Sequence, residues 1–190
     1  MTFEKKILAE MPKCYALGMF EGEDTPSFLA AVEKDGPIRR FTLDGEPLET
    51  VAPGPGGVMT ITQVPGRKDQ FLATRKFFSP NFGGDDAAIA SYTKQADGSW
   101  SEQILCDLPY VHRFGILKAA DGQLWVLACS IKGGAETGVK DGWRTPGAVW
   151  AAPLSDNLEQ YTVDNQLKLT CVANYQVQNH GFWTAPDKSY

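Results

Sequence analysis

Only two histidines occur among the 190 residues, and the first lies beside groups suited to proton transfer. The first is in Tyr110-Val111-His112-Arg113 and the second in Gln178-Asn179-His180-Gly181. Histidine titrates near neutrality, so it can act as a general base or a metal ligand. The arginine beside His112 offers a planar fork for a carboxylate or phosphate. Tyr110 adds a hydroxyl that can act as an acid, and Gly181 lets a backbone or ligand come close to His180. The expected catalytic set is His112, His180, Arg113 and Tyr110. The competing reading of each is structural: a hydrogen-bonded residue at the end of a sheet, or a packed ring with a satisfied hydroxyl.

Two Gly- and Pro-rich stretches carry further polar and aromatic groups: KFFSPNFGGDDA (76–87) and SIKGGAETGVKDGWRTPG (130–147). Long loops on a rigid scaffold commonly carry function. Trp143 suits a sugar-stacking platform and Arg144 an anion clamp, with Asn179, Asp85 and Asp86 as further substrate contacts. Two histidines fall short of a zinc site, which takes three protein ligands and an open position. Asp85 or Asp86 would have to supply the third, so a divalent metal is the one cofactor this set suggests. No nucleophile elbow, phosphate-binding loop or calcium loop is present.

These residues are placed by a repeat. CYALGMFEGEDTPSFLA (14–30), GVMTITQVPGRKDQFLA (57–73) and HRFGILKAADGQLWVLA (112–128) align without a gap. Each reads as a strand, a polar turn and a second strand. A further pair of strands follows each: IRRFTLDGEPLETV (38–51), IASYTKQADGSWSEQIL (89–105) and VWAAPLSDNLEQYTV (149–163), the last continuing towards LKLTCVANYQV. Asp44-Gly45, Asp97-Gly98 and Asp156-Asn157 supply the turns. A fourth copy starts at Gln178. In this alignment His112 shares its column with Cys14 and Gly57. His180 lies two columns away, with Ala16, Met59 and Phe114. Only residues 3–11 (FEKKILAEM) suit a short helix.

Four strands in every 40–50 residues or so make this an all-β chain that resembles the β-propellers. The expectation is an array of four-stranded antiparallel blades over about 13–52, 56–106 and 110–173, with the start of a fourth at 175–190. The WD dipeptide of WD40 repeats is missing. The resemblance implies that the first strand of each blade lines a central channel. The loops entering that strand, and those joining second to third strands, then share one face. His112, His180 and both long loops fall there. Three blades and a fraction do not close a ring, so the expected partner is a second copy completing it as a homodimer, or the remainder of a longer chain.

The totals narrow the function. A net charge of −5 and a pI near 5.0 argue against a nucleic-acid partner. No apolar run reaches the length of a membrane span, and the first residues lack a secretory pattern, so a cytoplasmic location is expected. The four cysteines include no C-x-x-C pair and read as reduced. The His, Arg and Tyr set at a channel mouth weakly resembles propeller-type sugar lyases and dehydratases. That resemblance implies a carbohydrate or other small-molecule ligand, with His112 or His180 as base, Arg113 or Arg144 as stabiliser and Tyr110 as acid. The alternative is a non-catalytic binding module anchored by Phe77, Phe78, Phe82 and Trp143.

Overall fold

A computed structural model describes residues 3–78, 80, 83–133 and 145–184. Among these, twelve strands form three four-stranded antiparallel sheets, each in simple meander order. The first holds β1 (Cys14–Glu21), β2 (Pro26–Val32), β3 (Ile38–Thr42) and β4 (Pro47–Ala52). The second holds β5 (Ile61–Gln63), β6 (Gln70–Arg75), β7 (Ala88–Lys94) and β8 (Trp100–Asp107). The third holds β9 (Val111–Lys118), β10 (Leu124–Lys132), β11 (Pro146–Pro153) and β12 (Thr170–Gln176). The chain is all-β, a propeller-like array of blades.

Turn chemistry sets two of the outer hairpins. Gly45 (φ +92°) and Gly98 (φ +85°) take the left-handed conformation that Asp-Gly turns require. Their N–H groups donate to Thr42 and Gln95, each at 2.9 Å. The third unit departs from the expected pattern. Asn157 caps a short 3-10 helix, Leu158–Gln160, by accepting from the Glu159 N–H, and the fourth strand begins only at Thr170. Asx capping competes here with a strand turn, because the Asn157 side chain satisfies a backbone donor locally. Residues 3–11 form no helix either. Nine residues are too few to hold a helix in water without packing. Instead the segment runs over the first sheet, with Lys6 Nζ donating to the Asp44 carbonyl at 3.0 Å and Leu8 against Gly45.

The sheets stack face to face. Ala16, Phe20, Leu29, Ala31 and Ile38 of the first meet Ile61, Phe71, Ala73, Ala90 and Tyr92 of the second. Leu72, Ile89 and Leu105, on the other face of the second, meet Val111, Phe114, Val126 and Ala128 of the third. The middle sheet is therefore apolar on both faces, and β6 and β7 are buried along most of their length. The first strands lie side by side in the order β1, β5, β9. Gly18 permits the approach: a Cβ there would lie 2.9 Å from the Ile61 side chain. No helix among the described residues is long and apolar enough to cross a membrane.

At the far ends of the first strands, Arg40 is only 1% exposed, yet fully partnered. Its Nε donates to Ser27 Oγ at 2.8 Å. Nη1 donates to Asp24 at 3.0 Å and Glu49 at 2.9 Å, and Nη2 to Asp24 at 2.5 Å and the Thr25 carbonyl at 3.1 Å. Glu49 also accepts from Lys94 at 3.0 Å and Trp100 Nε1 at 2.9 Å, which ties β4 to the second sheet. The Arg40 hydrogen bonds hold the Asp24 carboxyl well below the usual carboxylate range.

Candidate functional site

The site lies where the first strands begin. Along β1, Cys14 pairs with Val32 and Ala16 with Ala31, so Tyr15 is left without a partner. Along β9, Val111 pairs with Ser130 and Arg113 with Cys129, so His112 is the extra residue there. Such bulges bend the strand and re-aim a side chain. Here they bring two residues 97 positions apart into contact: Tyr15 Oη is 3.4 Å from His112 Nε2, ring edge to ring face at 6.1 Å.

The other imidazole nitrogen fixes the proton. His112 Nδ1 is 3.0 Å from the main-chain carbonyl of His180. A carbonyl only accepts, so Nδ1 carries the hydrogen and Nε2 offers its lone pair to the Tyr15 hydroxyl. Burial pushes the His112 pKa down to about 4, and the Arg113 and His180 charges act in the same direction. The imidazole is thus neutral at pH 7. It is walled by the rings of Phe77 (5.4 Å) and His180 (5.0 Å).

Arg113 completes the group. Its guanidinium carbon lies 5.2 Å over the Tyr15 ring, and Nη2 donates to Tyr15 Oη at 3.4 Å. Nη1 donates to the carbonyls of Met59 and His112, which holds the fork across the ends of the first strands. Thr60 Oγ1 also donates to the His112 carbonyl at 3.0 Å. A phenolic hydroxyl therefore sits between a cation and a neutral imidazole acceptor. That arrangement can pass a proton along the Tyr15–His112 line while Arg113 stabilises negative charge on the oxygen.

Of the residues expected at the site, His112, Arg113 and His180 come together. His180 is exposed, and its Nδ1 donates to the Gln178 carbonyl at 2.8 Å, which leaves Nε2 as its acceptor. Asn179 is turned onto the third sheet, its amide donating to the Ala148 carbonyl at 3.2 Å. Tyr110 is separated from His112 by Phe77, whose ring meets both. The Tyr110 hydroxyl donates to Asp85 at 2.9 Å and Lys132 Nζ lies 4.1 Å from its ring centroid. Burial, with Asp85 beside it, pushes this phenol up to about 12, so it holds its proton at neutral pH and ties Asp85 to the start of β9.

Asp85 and Asp86 are exposed. Among the described residues no group of three His, Cys, Asp or Glu side chains is placed to hold a metal ion, so neither aspartate joins the two histidines. Phe77 is 1% exposed and Phe78 half-buried, so Phe77 is a core residue and not a surface anchor. Trp143, Arg144 and Phe82 lie outside the described residues.

Tyr15 is the member that sequence reading missed. The gapless alignment set Cys14 against His112. The strand registers instead equate Tyr15 with His112, because the first turn of the third unit spans 119–123 against 22–25 in the first. The pairing of Ile61 with Ala73 puts Met59 at the same place in the second unit. Phe182 closes on Gly115 as Ile61 closes on Gly18, which sets His180 at that place in the fourth. Tyr15, Met59, His112 and His180 thus share one position, not columns two apart.

No family model matches the chain. No curated protein matches it. Among solved structures it is similar to one titled Kuenenia stuttgartiensis Hydrazine Synthase, at 10% identity and a TM-score of 0.54, over 90% of this chain and 47% of that one. The chain spans about half the length of that structure's chain, and the likeness is one of fold.

Proposed function

We propose that the chain carries a carbohydrate-active site of lyase or dehydratase type, with Tyr15 and His112 as the proton-transfer pair and Arg113 as the electrostatic partner. The observation that carries this reading is the Tyr15 hydroxyl, 3.4 Å from both His112 Nε2 and Arg113 Nη2. Elimination next to a carboxylate needs a base for the α-proton and a cation for the enolate that forms. In the proposed step the Tyr15 oxygen takes the α-proton as its own proton passes to His112 Nε2. The carbanion's electron pair then forms a C=C bond and expels the β-oxygen, which leaves with a proton from water. No external oxidant or reductant is required. Trp183, 77% exposed and three residues beyond His180, supplies an aromatic face on which a sugar ring can stack.

The test is incubation with uronate-containing oligosaccharides, read by the ultraviolet absorbance of the conjugated double bond. Turnover that Tyr15→Phe abolishes supports the reading. Turnover equal in wild type and Tyr15→Phe sinks it, and so does none on any uronate. A non-catalytic ligand-binding module is the second reading, favoured by the closure of both His112 nitrogens with internal partners. Ligand binding without turnover, unchanged in a His112→Ala, His180→Ala variant, would select it.

A further inference from the structure

The start of the fourth unit contributes more than His180. Four contacts hold it against the third sheet. The Asn179 amide donates to the Ala148 carbonyl at 3.2 Å. Gly181 lies against the Arg113 stem, where a Cβ would come within 2.8 Å of Cγ. The Phe182 ring closes over Gly115, 2.9 Å from the position of a Cβ. Between these contacts the His180 carbonyl meets His112 Nδ1 at 3.0 Å.

We propose that Asn179 and Phe182 are positioning residues for His112: they fix the His180 carbonyl, and that carbonyl locks His112 in the Nδ1–H tautomer. The proposal rests on the Tyr15–His112 reading for its functional meaning, though not for its geometry. An imidazole has one lone pair when neutral, and the hydrogen bond at one nitrogen decides which nitrogen presents it. Without an acceptor at Nδ1 the proton can move to Nε2. That nitrogen would then turn an N–H towards Tyr15, and the pair could not accept the tyrosine proton. The third and fourth units therefore build the base jointly: one supplies the ring and the other its orientation. No side chain makes the bond, so the identity of residue 180 matters less to it than the placement of the main chain.

The experiment uses the full chain labelled with 15N and a long-range proton–nitrogen correlation of the imidazole rings at pH 7. With two histidines in the chain, His180→Gln assigns the signals and keeps its carbonyl in place. Wild type should show His112 as a single Nδ1–H tautomer. Asn179→Ala and Phe182→Ala should each give a mixture containing the Nε2–H form. On any uronate that the wild type turns over, kcat should fall about tenfold, with KM changed less than about twofold. Phe182 is 37% exposed, so its variant is the one to read if Asn179→Ala does not fold. A wild-type Nε2–H tautomer overturns the proposal, and so does a pure Nδ1–H signal retained in the folded variants. Tautomer loss in the variants without any wild-type turnover upholds the clamp and removes the proposed activity. Wild-type turnover with an unmoved tautomer does the reverse.

Discussion

Arg40 and Arg113 stand at opposite ends of the stacked sheets, each with an aromatic ring beneath its guanidinium, 5.3 Å away in one case and 5.2 Å in the other. They differ in what surrounds them. Arg40 is buried, meets two carboxylates, and directs its donors at fixed acceptors. Arg113 is half-buried, meets no carboxylate among the described residues, and reaches main-chain carbonyls and one exposed tyrosine. A buried cation must be neutralised and hydrogen-bonded where it stands, and a closed network of that kind serves the fold. A cation whose charge is left uncompensated is available to an anion from outside. The contrast separates two clusters that look alike in sequence, since Arg40 and Arg113 each lie in a strand beside apolar residues.

The largest effect that would sharpen this contrast is expected at Arg40. Arg40→Met keeps the apolar stem and removes the fork, leaving Ser27 and the Thr25 carbonyl without their partner. Urea unfolding should show a loss of about 3 kcal/mol, typical of breaking a buried ion pair. A loss below about 1 kcal/mol would erase the distinction, because it falls in the range of exposed ion pairs.

Tyr15→Phe should behave in the opposite way. The residue is 42% exposed and the change removes one oxygen. Stability should move by less than about 0.5 kcal/mol, as at other surface positions. Turnover on the uronate substrate should drop about 100-fold, the usual scale for a lost proton-transfer group.

Acid sharpens the comparison next. The folded His112 pKa of about 4 lies below the unfolded value near 6.5. Above pH 6.5 both states hold a neutral ring. As pH falls from 6.5 towards 4 the unfolded chain binds the proton first, so stability is lost across that window, on the order of 3 kcal/mol when complete. Thermal melts of wild type and His112→Phe over this range should diverge. Parallel curves would mean that His112 is not held neutral by burial.

The smallest effect concerns Tyr110. Asp85→Asn keeps an acceptor for the hydroxyl but removes the charge beside it. The Tyr110 phenol should then titrate below its present value of about 12, seen in an ultraviolet titration. Stability should fall by about 1 kcal/mol at most, and turnover should not change. A large loss of turnover would return Tyr110 to the catalytic group.

Much of the architecture was legible because each unit repeats local signals: a turn at Asp-Gly or Asp-Asn, and a second strand carrying Phe-Leu-Ala or Val-Leu-Ala. The neighbourhood of His112, Arg113 and His180 followed from placing strand entries at one end. Tyr15 did not follow, because one extra residue in a turn moves the register by one, and a bulge has no mark in an alignment without gaps. The third unit's late fourth strand was hidden for a related reason, since Asp156-Asn157 is turn chemistry that serves a strand connection and a 3-10 cap equally well. The unwound 3–11 segment shows a helical pattern too short to act on.

The position shared by Tyr15, Met59, His112 and His180 has a consequence for how such a chain changes over time. At Tyr15 and His112 the residue escapes the ladder, so the pairing of its strand places little demand on what it is. Chemistry can be exchanged at such a socket while the neighbours keep their partners. Met59 already occupies its place with an apolar side chain, its N–H held by Thr74 Oγ1 at 2.6 Å. A scaffold of this kind can acquire or discard an acid, a base or a ligand one unit at a time, much as a turret takes different lenses without being rebuilt.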